Sequence, residues 1–222
     1  MPRLAFITGA SRGIGAAIRA ALEQRGCSVV APSRAELDLS DPASVEAYLK
    51  VHSDLPVDIL INNAGINFLN PIPAIDAATW QDMLQTNLTA ALRLIQVFAP
   101  GMAGRHWGRI LSVSSILGVV AREQRAAYSM TKAALNALTR SAAVEFGPAG
   151  VLVNALAPGY VDTDLTRQNN TPEMLAAIQS TIPLRRMARA EELAQVAAFL
   201  VAEENTYLTG QTILADGGFT CQ

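Results

Sequence analysis

Short apolar runs alternate with longer helical stretches along almost the whole chain, and that alternation limits the fold more than any other feature. The apolar runs fall at 3–8, 28–32, 36–39, 57–62, 108–114, 151–156 and 211–215. Several have no polar break, as expected of strands covered on both faces. Helical stretches lie near 13–25, 42–50, 79–99, 128–146 and 190–202. A strand followed by a helix, repeated, builds a parallel sheet with right-handed crossovers. The expectation is an α/β, doubly wound domain of about seven strands with helices on both faces. Half of the 222 residues are hydrophobic and 16% are charged. That is apolar material for one thick core over residues 1–222.

Two places break the rhythm. Too few residues separate the second run from the third, at 36–39, for a crossover helix to fit between them. The stretch 160–185 is polar and rich in Thr, Asn and Pro. A long irregular segment beside a rigid sheet suggests a substrate lid.

The first strand runs into Thr8-Gly9-Ala10-Ser11-Arg12-Gly13-Ile14-Gly15, and a helix follows. Glycine lets backbone turn sharply and approach a phosphate with no Cβ in the way. The helix N-terminus adds free N–H groups and a positive dipole. Strand, loop and helix together point to a dinucleotide-binding, Rossmann-type unit, with Gly9, Ser11, Arg12, Gly13, Ile14 and Gly15 at the phosphates. An acidic residue ending the second strand would take the ribose hydroxyl of NAD. This chain has Ser33-Arg34 there, and Arg12 lies in the loop. Guanidinium forks suit a 2′-phosphate, so NADP(H) is expected and NAD(H) is the alternative. Glu36 is the rival, read here as opening the next strand and so pointing elsewhere.

Other function classes find little support. A net charge of −2 gives no general attraction to nucleic acid or anionic membrane. No run of about 20 apolar residues exists, and Leu4-Ala5-Phe6-Ile7 is too short for a signal-peptide core. Cys27 and Cys221 lie far apart, and His52 and His106 stand alone. No disulfide framework or metal site is expected, and a reducing, cytoplasmic setting follows.

Three more motifs follow the loop. They are Asn62-Asn63-Ala64-Gly65 after the fourth apolar run, Tyr128-Ser129-Met130-Thr131-Lys132 opening a helix, and Pro158-Gly159 after the sixth run. With the TGxxxGxG loop, and with Leu208-Thr209-Gly210-Gln211 and Asp216-Gly217-Gly218 near the end, the set resembles the short-chain dehydrogenase/reductase family over nearly the whole chain. It looks most like bacterial members labelled 3-oxoacyl-carrier-protein reductases. The resemblance implies a catalytic tetrad of Asn87, Ser115, Tyr128 and Lys132, with Ser114 as the runner-up to Ser115. Ser115 stands thirteen positions before Tyr128, the family's usual spacing. It also implies that Asp38 and Leu39 line the adenine, that Asn63, Ala64 and Gly65 line the adjacent ribose, and that Pro158, Gly159, Val161 and Thr163 hold the nicotinamide side. Asn87 would hold a water linking Lys132 to solvent.

The chemistry can be argued from the residues. Reducing a carbonyl needs hydride at carbon and a proton at oxygen. Tyrosine can give the proton, but its ordinary pKa is about 10. A nearby cation favours the phenolate. Tyr128 and Lys132 are four apart on one helix face, so Lys132 is expected to tune Tyr128 and to bond the nicotinamide ribose. Ser115 can stabilise developing charge on the substrate oxygen. The one-turn Tyr–Lys spacing disfavours the related enoyl reductases. A non-catalytic dinucleotide-sensing regulator would be marked by a lost Tyr or Lys, and both are present. A sugar-nucleotide epimerase or dehydratase would need a larger C-terminal region. The substrate class is thus a small carbonyl or alcohol compound.

The helix at 128–146 is apolar around almost its whole circumference, with Ala142 and Ala143 among its small residues, and 83–98 is similar. One sheet face covers only one side of each, so a homodimer or homotetramer is expected.

Overall fold

The computed structural model describes residues 2–168 and 170–221. The chain opens with β1 (Leu4–Ile7), where Ala5, Phe6 and Ile7 are fully buried. The chain continues through α1 (Gly13–Gln24), β2 (Ser28–Val30), α2 (Pro42–His52) and β3 (Ile59–Asn62). Next come α3 (Ala77–Leu84), α4 (Ala90–Gly104), β4 (Gly108–Val113), α5 (Ala126–Phe146) and β5 (Val151–Pro158). It closes with α6 (Asp164–Gln168), α7 (Pro172–Thr181), α8 (Ala190–Leu200) and β6 (Thr212–Ala215). The strands form one parallel sheet in the order β2-β1-β3-β4-β5-β6.

The unbroken apolar runs are explained by a core on each face. Successive strand residues point to opposite faces. Ala5, Ile7, Ile59 and Ile61 therefore meet Ile18, Leu22, Leu193 and Ala197 of α1 and α8. Phe6 and Leu60 meet Leu49, Leu94 and Phe98 of α2 and α4 on the other side. Each such large side chain contributes about 1.5–3 kcal/mol when fully buried.

Four expectations need correction. The described residues hold six strands, because 36–39 is not one. Leu37 N–H bonds back to the Ser33 carbonyl at 2.9 Å, so the chain turns instead of extending. Leu37 and Leu39 still bury their side chains, but among those of α2 and its neighbours rather than in a strand pair. The crossover from β2 to β3 is then α2 itself, and no helix is missing. Secondly, 79–99 is helical throughout but not α-helical throughout. A π-helical segment, Gln85–Thr89, separates α3 from α4. Thirdly, 160–185 is not irregular, since α6 and α7 occupy much of it. Pro172 fits the first turn of α7, whose N-cap Thr171 accepts a bond from Met174 N–H at 3.3 Å. Finally, Ala142 and Ala143 do not face outward. They pack in the chain's own core.

No helix among the described residues is long and apolar enough to cross a membrane.

Candidate active site

Parallel strands bring their carboxyl ends to one edge of the sheet, and there the motifs meet. Thr8 follows β1, Asn63 follows β3, Ser114 and Ser115 follow β4, and Gly159 follows β5. The order reverses between β1 and β3, where ligands bind in open α/β sheets. A cavity of about 730 Å³ opens at this edge, within the usual range for a small-molecule site. Every residue expected to touch a dinucleotide lines it, as do Ser115, Tyr128 and Lys132.

The loop after β1 fits a dinucleotide phosphate. Gly9 has φ +66°, where an L side chain is strained. A Cβ on Gly15 would lie 2.3 Å from the Gly9 carbonyl oxygen and 2.4 Å from Asn63 Nδ2. Helix α1 has no side-chain cap, so its first N–H groups are left for an anion. Thr8 ties this loop to the one after β3: its Oγ1 accepts from Asn63 N–H and Ala64 N–H, both at 3.1 Å. Asn63 Nδ2 donates back to the Thr8 and Gly9 carbonyls, each at 2.9 Å. The amide of Asn63 is thus spent on joining two loops. Sequence reasoning quoted Thr8 in the motif but gave it no task.

At the end of β2, Arg34 and Asp38 hold each other. Arg34 Nε donates to Asp38 Oδ2 at 3.2 Å, and the Arg34 side chain is 80% exposed. Ser40 donates to Asp38 through its hydroxyl and its N–H, which with Arg34 keeps that carboxyl below its ordinary pKa. Glu36 does not open a strand. Its carboxylate folds back on Ser33 N–H and Oγ, both at 2.8 Å, and it does not line the cavity. Arg12 lines the cavity, and its side chain makes no hydrogen bond or ion pair among the described residues.

The tetrad expected from the resemblance comes together unevenly. Ser115 lines the cavity beside Tyr128, whose pKa it holds down, and accepts from Leu117 N–H at 3.1 Å. Ser114 instead donates to the Lys132 carbonyl at 3.3 Å. Lys132 Nζ donates to the Val113 carbonyl at 2.8 Å and lies 5.6 Å from the Tyr128 ring centre. Asn87 does not line the cavity. It sits in the π-helical segment, and its amide is consumed by Ile66 N–H at 2.8 Å, the Ile66 carbonyl at 2.9 Å and Thr131 Oγ1 at 3.1 Å. Such π turns are frequent at functional sites. Asn87 and Lys132 still converge on Gly65, where an added Cβ would meet Asn87 Oδ1 at 3.2 Å and Lys132 Nζ at 3.4 Å.

Burial sets the charge states. It raises the Tyr128 pKa, opposed by Ser115 and by the charge of Arg125. Lys132 is pulled down to about 8 by burial. The sequence assigned the pull on Tyr128 to Lys132; here the opposing groups are Ser115 and Arg125. Arg125, three residues before Tyr128, also lines the cavity, and sequence reasoning passed over it.

Comparisons with known proteins agree with this geometry. A family model described as enoyl-(acyl carrier protein) reductase matches residues 32–220. The chain is 36% identical to the 3-oxoacyl-(acyl-carrier-protein) reductase FabG of Vibrio cholerae, across 97% of this chain and 96% of that protein. A structure from Beutenbergia cavernae, described as an NAD(P) dependent gluconate 5-dehydrogenase with bound NADP, matches with a TM-score of 0.92 and 32% identity, covering 99% of this chain and 97% of the other. A gluconate 5-dehydrogenase from Burkholderia cenocepacia in complex with NADP and tartrate gives 0.90 and 28%, with coverage of 99% and 96%.

Proposed function

This chain belongs to the short-chain dehydrogenase/reductase family and is an NAD(P)-dependent oxidoreductase; we propose that it moves a hydride between NADP(H) and a carbonyl or secondary alcohol carbon, with Tyr128 as general acid/base. The observation that carries this is the convergence of Ser115, Tyr128 and Lys132 on one cavity wall, with Lys132 buried one helical turn on from Tyr128. The bound nicotinamide supplies or accepts the hydride.

Burial keeps the Tyr128 phenol protonated, the form that gives a proton to a carbonyl oxygen. Ser115 donates to the same oxygen and stabilises its charge as it develops. Lys132, anchored on Val113, holds a ribose hydroxyl, and Asn87 fixes the Gly65–Ile66 loop behind it. The one-turn separation of Tyr128 and Lys132 supports a carbonyl rather than an enoyl substrate, although the matching family model carries an enoyl reductase description. Arg12 and Arg34 favour NADP over NAD: the one carboxylate of residues 33–40 that lines the cavity, Asp38, is already bonded to Arg34. The segment 160–185, with α6 and α7, is the substrate cover of a single domain. Cys27 and Cys221 are unpaired, as thiols are in the cytoplasm, the setting we propose. The outer faces of α4 and α5 present Leu92, Met130 and Val144, and we place a homodimer or homotetramer contact there.

The test is a panel of carbonyl and alcohol compounds with NADPH and NADH, followed at the nicotinamide absorbance. NADPH should be preferred, and Tyr128→Phe should cut turnover by roughly 10²–10⁴ with cofactor binding nearly intact. Turnover within a factor of about three of wild type removes Tyr128 from the role.

A further inference from the structure

Arg125 is 8% exposed and lines the catalytic cavity, and its guanidinium makes no hydrogen bond or ion pair among the described residues. A guanidinium largely shielded from water and without a partner is unfavourable. Its position adds two further penalties. Arg125 is the N-cap of α5 and offers no cap bond, so the residue that carries this charge stands at the positive end of the helix, where a cation is disfavoured. Arg122, three residues earlier, is a second cation acting on it. Glu123 between them is exposed and forms no ion pair with either.

The two arginines differ in what they hold. Arg122 is occupied: it bonds the Tyr160 hydroxyl and lies 5.5 Å from the Tyr160 ring centre. Arg125 is left for the cavity. The turn that presents it contains Gln124 at φ +61°, a conformation that non-glycine residues rarely adopt and that concentrates at functional sites. The Gln124 carbonyl accepts from Asn70 N–H at 3.2 Å, which fixes the turn against the loop after β3. The charge of Arg125 reaches Tyr128, one turn into the same helix. A group held by Arg125 and an oxygen served by Tyr128 therefore fit within one small molecule.

We propose that Arg125 is a specificity-determining residue that binds the carboxylate of the substrate, so that the enzyme acts on the carbonyl of an oxo acid or the hydroxyl of the matching hydroxy acid. This rests on the hydride-transfer reading above. A carboxylate accepts two parallel N–H bonds from a guanidinium and neutralises a charge that burial, the helix end and Arg122 all penalise. A neutral ester of the same acid leaves that charge unpaired, and sites built for a polar partner reject analogues that lack it.

The experiment compares pyruvate, acetoacetate and levulinate with their ethyl esters, and adds dihydroxyacetone phosphate, using NADPH and the wild-type, Arg125→Gln and Arg125→Lys proteins. For at least one pair, the acid should exceed its ester in kcat/KM by about 10-fold or more, mainly through KM. Arg125→Gln should abolish that preference, Arg125→Lys should keep part of it, and NADPH affinity should stay within about two-fold in all three proteins. Esters that equal or exceed their acids in the wild type overturn the proposal. So does a preference that survives Arg125→Gln, or an NADPH affinity that falls in step with it, which would make Arg125 a cofactor contact. Faster reduction of the phosphate than of every acid overturns the carboxylate assignment. Reduction of the esters alone sinks this inference while hydride transfer stands. If NADPH binds and no compound is reduced, both fall.

Discussion

Lys132 shows how a residue's task depends on what surrounds it. Two hydrophobic cores flank the sheet, and the lysine is threaded between β4 and α5 with 3% exposure. Burial disfavours its charge and brings its pKa to about 8. The sign follows directly: the folded-state pKa is lowered, so the ammonium form is lost as pH rises through about 8. If that form holds the cofactor ribose, kcat/KM for NADPH, which reports free-enzyme groups, should be level below about pH 8 and fall roughly tenfold per pH unit above it. Steady-state kinetics from pH 6 to 10 checks this, and a flat profile would remove the Lys132 charge from cofactor capture. The Tyr128–Lys132 pair was legible in the sequence because four residues on a helix share a face. Of the groups opposing the rise in the Tyr128 pKa, Ser115 acts through tertiary placement, whereas Arg125, three residues earlier, lay within the same local reach and was passed over.

Among the elements, the glycine loop and α1 were read correctly because their demands are local. Backbone conformation and the bare helix end are written into the residues that form them. The close approach at Gly15 is not local: it involves Asn63, which arrives from β3. Gly15→Ala should therefore damage the cradle as a unit. We expect it to weaken NADPH binding about 10-fold or more and to lower stability by about 1–3 kcal/mol, as overpacking does. Gly26→Ala is the contrast, since a Cβ there meets nothing within 4 Å although φ is +83°. It should cost stability alone. Titration calorimetry and thermal unfolding on both variants separate the effects; equal NADPH affinity in wild type and Gly15→Ala would refute the cradle. The run at 36–39 misled because a Leu-Asp-Leu alternation has the period of a strand. Only the turn closed by Ser33 shows that its leucines enter the core without a strand partner.

At the scale of the whole molecule, the open question is what covers the outer surface of α4 and α5. The sequence suggested helices apolar all round. The structure seats Ala142, Ala143, Leu94 and Phe98 in the chain's own core. It leaves Leu92 at 37%, Met130 at 51% and Val144 at 80% exposure, with Ala133 and Ala137 exposed along the same side of α5 as Met130 and Val144. Burying such surface is favourable by about 25 cal/mol per Å², and small residues permit close helix contact. Light scattering should give two or four times the 23.5 kDa chain mass. Ala137→Glu, on the exposed side, should dissociate the assembly without unfolding the chain, because a charge is costly to bury at a contact. A wild-type monomer at micromolar concentration ends the proposal.

The sequence by itself determined the fold class, the edge of the sheet where the site forms and the glycine-loop, Tyr128 and Lys132 residues that line it. Those follow from strand and helix periods, from glycine's freedom and from spacing along one helix, all of which act over a few residues. Tertiary structure decided the rest: six strands and not seven, Asn87 and Asn63 as struts, Arg34 bound to Asp38, and Arg125 buried without a partner. Each of these depends on which groups meet across the fold and on how far burial removes them from water. Neither is encoded in the spacing of residues along the chain.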